Sequence, residues 1–398
     1  MAMRGSSMQP DLLRENAVLC ANAKQAFEQA GLPAAKDEAW IYTRLNDITI
    51  NPSSGSDEAV SDEAGVLSFA AGWLCSGGTS LPAGVTLAEM RDDAVFAEFA
   101  AHLPTDHLLG SLSLGHATGA YVLEVAAGAE IATPLQFVFA EGEEGHSAHP
   151  LIFIKIGAGA SLQFAEIHSS ASSLSAPVIV VDAGADARID HVKLQADDHD
   201  TTHLALTIFA VAEKADINSF TAAMGGKLGR HETHAHLNGQ EIEMALSSLY
   251  LARQDQHQDI TTRMMHHQPH CTSNQVIRGV LDDTSKGVFQ GKVLVARDAQ
   301  KTDGQQMSRA LLLSRKAEAD AKPELEIYAD DVVCSHGATV GELDETHMFY
   351  LKSRGITEEE ARNMLIEAFL LDALEQVRHE ALADILSHAV KGWMADGA

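Results

Sequence analysis

LIFIKIGAGASLQFAEI, residues 151–167, consists of two strand-like apolar runs joined through the small-residue turn GAGA. The same plan returns along the chain as VAAGAEI at Val125, VDAGADARI at Val181, VAEKADI at Val211 and LNGQEI at Leu237. Counted at Gly128, Gly159, Gly184, Lys214 and Gly239, the turns are 31, 25, 30 and 25 residues apart. From about Tyr121 the runs between them, such as AYVLEV, LQFVFA, PVIVV and ALTIFAV, and later VLVA and LEIYA, are short, β-prone and bounded by turn residues. A period of this size made of strands and tight turns, with no helix in it, is the trace of a β-solenoid whose stacked coils bury one continuous core. A sandwich or Greek-key barrel with look-alike hairpin turns also fits the strands, but gives no reason for the period.

Outside this region the pattern is helical. Leu13, Ala17, Cys20, Ala21, Lys24 and Phe27 recur at helical spacing between Pro10 and a stop at Gly31 and Pro33. A short helix is expected over Lys36–Leu45, a polar loop in NPSSGSDEAVSDEAG, and a third helix over Leu87–His102. After Ile356, Thr357 and Glu360 form a capping-box pattern, and Ala361, Met364, Leu365, Ala368 and Phe369 mark one apolar face. That face can dock a partner or cover the open end of a β-stack. A further helix is expected over Leu374–Val390. The organisation read from these patterns is a mostly helical region at 1–118, a β core at 119–342 and a helical region at 343–398.

The chain has 398 residues, 45% hydrophobic and 21% charged, which describes a folded protein with a large core. Its formal net charge of -28 repels phosphate backbones and anionic lipid surfaces, so neither nucleic acid nor membrane is an expected partner. Cys20, Cys75, Cys271 and Cys334 are far apart with no C-x-x-C pair, which fits a reducing compartment. No apolar run approaches the roughly 18 to 20 residues that span a bilayer, and MAMRGSSMQPDLL lacks a signal peptide's apolar stretch. The expected location is cytoplasmic.

Chemistry-bearing residues concentrate in YADDVVCSHGATVGELDETHMFYLKSRGI, Tyr328–Ile356. On a strand Cys334 and His336 leave the same face, where thiolate and imidazole suit a soft or borderline metal, although a lone cysteine is more often a small buried hydrophobe. His231, His234 and His236 in RHETHAH and His266, His267, His270 and Cys271 in MMHHQPHC are weaker metal candidates. His234 with His236, and His270 with Cys271, could pair as donors, but neither group has zinc-site or protease spacing, and solvated coil faces are the favoured reading. Asp282-Asp283 and Asp330-Asp331 invite an alternative, a β-solenoid polysaccharide-active enzyme with paired carboxylates. Aromatic content of 5% and the absence of an export signal argue for plain turn carboxylates instead. GVFQGKV at Gly287 has the wrong spacing for a phosphate loop, so no ATP binding is expected in this chain.

ADDVVCSHGATVG, LDETHMFYLKSRGI and EARNMLIEAF resemble the SufB/SufD family of iron–sulfur cluster assembly proteins, closest to its SufD branch. GVFQGKVLVARDAQKTDGQQ, LLLSRKAEADAKPELEIYADD, RHETHAHLNG and GLPAAKDEAWIYTRL look like the same family, and the region around 53–118 matches least. SufB-type chains resemble EHEAT where this chain has CSHGAT. The resemblance implies a right-handed parallel β-helix flanked by N- and C-terminal helical regions, and a non-catalytic scaffold subunit of a SufB–SufC–SufD complex. It implies a transient iron–sulfur cluster shared with a SufB-like homologue across the paired β-helices, with His336 first and Cys334 second as ligands. It further implies docking of the SufC ATPase on the C-terminal helices, for which Phe349, Tyr350, Arg354, Met364 and Phe369 are the candidates. Pairing with a second copy in isolation and a flavin in the complex are left undecided by the residues.

Overall fold

The computed structural model describes residues 17–53, 63–75, 80–104, 107–140 and 142–395. Two long sheets face each other. Sheet I stacks Val85–Glu89, Gly119–Val125, Pro150–Ile156, Val178–Ala183, Thr202–Val211, Leu228–Leu237, His257–His266, Lys286–Val295 and Glu318–Ile327. Sheet II begins with the Val66–Ala70 and Trp73–Leu74 hairpin and continues through Leu135–Ala140, Ser161–Ser169, Arg188–Gln195, Asp216–Ala223, Glu243–Ala252, Thr272–Leu281, Asp303–Leu312 and Val333–Gly341. Successive strands alternate between the sheets, and each lies parallel to the strand one circuit earlier, so Leu228, His257, Lys286 and Glu318 fall in register. This is a β-solenoid of about 8 turns. At its first end Val85–Glu89 runs antiparallel to Gly119–Val125 and Val66–Ala70 joins Leu135–Ala140, closing that end with paired backbone.

The turns hold their shape by a ladder of left-handed residues. Gly128, Gly159, Asp186, Lys214, Glu241, His270 and Lys301 have φ of 69, 67, 58, 58, 56, 63 and 62°. The amides of Gly128, Gly159, Asp186, Lys214, His270 and Lys301 donate to the next coil, Asp186 N to Glu213 O at 2.9 Å and Lys214 N to Gln240 O at 2.9 Å, which offsets the cost of left-handed backbone in residues bearing a Cβ. Gly184 and Gly239, used as markers in the sequence, serve close approach instead: a Cβ would lie 2.7 Å from Ala158 N and 2.1 Å from Glu213 N.

Inward side chains of both sheets, Leu162, Phe164, Ile179, Val181, Phe209, Leu237, Met244 and Val293 among them, form the central core. Outward residues of the earlier coils are buried as well. Val122, Phe153, Val180 and Leu206 of sheet I meet Phe96, Phe99, Leu109 and Leu112 of helices Asp93–His102 and Leu108–Gly115. Val192, Phe220, Leu249 and Val280 of sheet II meet Ile366, Leu370, Leu382 and Leu386 of helices Glu358–Leu374 and Glu380–Ala395. Double-sided burial explains why runs such as PVIVV are continuous rather than alternating.

Several sequence expectations shift. Leu87 belongs to a strand, and the third helix starts at Asp93, capped by the Asp92 carboxylate. Lys36–Leu45 contains only the 3-10 turn Glu38–Trp40. Strands begin at Val66, earlier than Tyr121 and inside the region read as mostly helical. The first helix is described over Ala17–Ala30, while Leu13 and most of NPSSGSDEAVSDEAG lie outside the described residues. The Thr357 and Glu360 capping box is present as read. The last helix is Glu380–Ala395 rather than Leu374–Val390. The terminal helices lie along the flank of sheet II through the contacts above, so the reading in which they cover the solenoid's end does not hold.

Candidate functional site

Each sheet ends in a strand that pairs on one side only among the described residues, Glu318–Ile327 in sheet I and Val333–Gly341 in sheet II. Free β edges template pairing unless charge, proline or bulges guard them. Glu318–Ile327 is guarded by Pro323 and by Glu318, Asp320, Lys322, Glu324 and Glu326. Val333–Gly341, reading VCSHGATVG, has no such guard, and its Val333 and Val340 are 64% and 49% exposed.

Cys334 and His336 sit on this unguarded strand. They pair in register with Gly304 and Gln306, on the face that continues the inward side of the coil, so one face carries both donors. Cys334 is half-buried against the end of the core and His336 is exposed. Burial pushes the Cys334 thiol up, with Asp303 adding to the shift and the Gly304 backbone opposing it, so the thiol is protonated at neutral pH while the edge is free.

Beside this end, helix Glu345–Ser353 exposes Phe349 and Tyr350 at 74% and 54%, with the Arg354 guanidinium 4.6 Å from the Tyr350 ring centre. Met364 and Leu371 of the following helix are exposed, each at 47%. Phe369 instead packs toward sheet II beside Arg278, which also donates to Asp372 at 2.7 Å.

The remaining candidates separate. Asp282 pairs with Arg362 at 3.3 Å, Asp283 accepts from Gln254 N at 3.0 Å and Asp331 pairs with Lys301, so these three acids are engaged in structural contacts. His270 points out from its left-handed turn, whereas Cys271 is buried and donates to Gly239 O at 3.2 Å, so the two do not converge. The solvated reading of RHETHAH is wrong. His231 and His234 are buried, and His236 is half-buried, stacked on His267 at 5.6 Å between ring centres.

RHETHAH lies beneath the N-terminal layer. Arg230, wholly buried, donates to Asp259 at 2.6 Å and Glu232 at 3.0 Å, with the Trp40 ring 4.1 Å above its guanidinium and the Thr43 hydroxyl bonded to Asp259. Glu232 Oε1 lies 2.9 Å from His107 Nε2 and 2.8 Å from His234 Nε2. Burial alone would raise Glu232, but Arg230 and the two imidazoles outweigh it and hold the carboxyl well below its usual range.

A second polar group, missed from the sequence, lies inside the solenoid. Glu166 pairs with His168, His191 and Lys193 at 3.1, 3.0 and 3.3 Å, and His203 stacks on His231 nearby. The signal was parity: in SLQFAEIHS, Glu166 and His168 fall on the same side as Leu162 and Phe164.

The family described as "SUF system FeS cluster assembly, SufBD core domain" matches residues 138–369. The chain is 32% identical to the iron-sulfur cluster assembly protein SufD of Escherichia coli over 382 residues, covering 90% of this chain and 88% of that protein. It is 28% identical to the chloroplastic protein ABCI7 of Arabidopsis thaliana, covering 80% and 71% of the two chains. It is 27% identical to the iron-sulfur cluster assembly protein SufB of Bacillus subtilis, covering 70% and 62%.

Proposed function

Because this chain belongs to the SufBD family of SUF-system iron–sulfur cluster assembly proteins, we propose that it is a SufD-type scaffold subunit that pairs its last coil with a SufB-type partner. A nascent iron–sulfur cluster is the cargo held between them. The observation that carries this reading is the unguarded β edge at the last coil, Val333–Gly341, bearing both Cys334 and His336. Adding a partner strand satisfies the free backbone groups and brings the partner's ligands to those donors.

His336 is the leading ligand because its imidazole is exposed and binds iron as the neutral base; Cys334 must first lose a proton that burial makes harder to remove. A site with too few donors on either chain alone forms a cluster only in the complex and can release it. The scaffold itself turns over no substrate, and it works in the cytoplasm, a location that its four free cysteines suit. In anaerobically purified complex, His336→Ala is expected to cut bound iron and sulfide at least tenfold and Cys334→Ala to cut it less, with partner recovery unchanged. Full cluster content in the double variant removes this assignment.

The exposed Phe349, Tyr350, Met364 and Leu371 surface is the dock for the SufC-type ATPase, which supplies the energy input. Phe349→Asp combined with Met364→Asp is expected to lose the ATPase from co-purified complex while keeping the SufB-type partner. Both side chains are exposed, so folding is expected to survive, and circular dichroism checks it.

A further inference from the structure

We propose that His107, Glu232 and His234 bind one divalent borderline transition-metal ion, of the zinc or ferrous class, that fastens the N-terminal layer onto the solenoid. The site is separate from Cys334 and His336: it lies on the outer face of sheet I, under the Leu108–Gly115 helix, whereas those two occupy the final strand of sheet II.

Three ligand atoms converge there, His107 Nε2, Glu232 Oε1 and His234 Nε2, all within 4.8 Å of one another. Two imidazoles and a carboxylate are a borderline donor set, suited to zinc or ferrous iron rather than calcium or magnesium. Metal–nitrogen and metal–oxygen bonds of about 2.1 Å in tetrahedral geometry require donors roughly 3.4 Å apart. Both nitrogens now stand 2.8–2.9 Å from the same carboxylate oxygen, so an opening of about half an ångström at those two contacts admits an ion. His107 is 13% exposed by side chain, against 2% for Glu232 and His234, so the ion has a path in on the His107 side and leaves a coordination position for water.

The surroundings are those of a supported ligand set. Glu232 is oriented through its other oxygen by Arg230, which Asp259 holds in turn. Arg263 Nε, 3.8 Å from Glu232 Oε1, opposes a cation, but that side chain is 42% exposed and solvent screens it. His107 stands directly before the Leu108–Gly115 helix and makes no side-chain cap bond to it, so its imidazole is not committed to the helix. A metal bond from His107 to Glu232, 125 positions away, would tie the helical layer to strand Leu228–Leu237 of sheet I.

The test uses the full chain, stripped with chelator and titrated with Co(II). One equivalent is expected to give visible ligand-field bands of a four- or five-coordinate nitrogen/oxygen site, without the near-ultraviolet thiolate band that binding at Cys334 would produce. His107→Ala, with unchanged circular dichroism, is expected to weaken that equivalent at least tenfold. Zn(II) should raise the melting temperature of the parent chain and not of His107→Ala. His107→Asn serves as the second variant should the alanine variant misfold. The proposal is overturned if no ligand-field bands appear, if they come only with a thiolate band, or if the folded His107 variant binds Co(II) as tightly as the parent.

Discussion

Acidification from pH 7 is expected to unfold this protein cooperatively between about pH 5.5 and 4. His149, His168 and His266 are wholly buried, and burial is the largest influence on each, lowering them to about 3, about 4 and about 4. A histidine lowered in the fold is neutral there and takes up its proton only on unfolding. Its stabilising contribution is therefore complete above the unfolded value near 6.5 and is lost as pH falls toward the folded value. Three such groups make stability fall by roughly 4 kcal/mol per pH unit in that window, against a typical total of about 5–15 kcal/mol. His203, His231 and His234 are shifted the same way by burial and steepen the loss. Urea unfolding at successive pH values, followed by fluorescence of the buried Trp40, measures the slope. A slope of less than one proton between pH 6.5 and 5 would refute the buried neutral histidines.

Val340→Lys is expected to abolish the proposed pairing with a SufB-type partner, a loss of at least a hundredfold in affinity, while leaving the chain folded. Val340 is opposite Ala310 on the last strand and 49% exposed, so a lysine there reaches solvent in the free chain. Once a partner strand covers the edge, the same ammonium is desolvated against apolar sequence, and an inward charge on an edge strand is a common device against strand addition. Co-purification quantifies the pair, and the melting temperature of the free variant separates lost pairing from lost folding. A matching lysine at Ile327, on the already charged edge of sheet I, should weaken pairing far less. Equal effects at the two positions would mean that both edges meet the partner.

The pairing of Cys334 with His336 was readable because the two are neighbours in the chain: they share a face by strand geometry alone. The helical candidates were readable only in part. Ala361, Met364, Leu365, Ala368 and Phe369 form an apolar stripe on paper, yet the buried residues are Ala361, Ile366, Leu370, Ala373 and Leu374. A helix with apolar residues on several faces can roll, and packing in one core with Leu249 and Val280 of sheet II decided which face went in. Met364 was left outside as a result.

Repeating runs and small turns were enough to specify a stacked β-coil, because a strand buried on both faces needs continuous apolar residues and each coil needs a tight turn. They did not specify the left-handed positions at Asp186, Lys214, His270 and Lys301, where rung-to-rung hydrogen bonds replace the glycine that local chemistry would ask for. Nor could they reveal His107 beside Glu232, or Trp40 and Thr43 over Arg230 and Asp259, since those contacts join segments with no shared period. Local pattern follows from backbone geometry and burial; which distant charges meet, and which edge stays open, depends on how the finished layers stack.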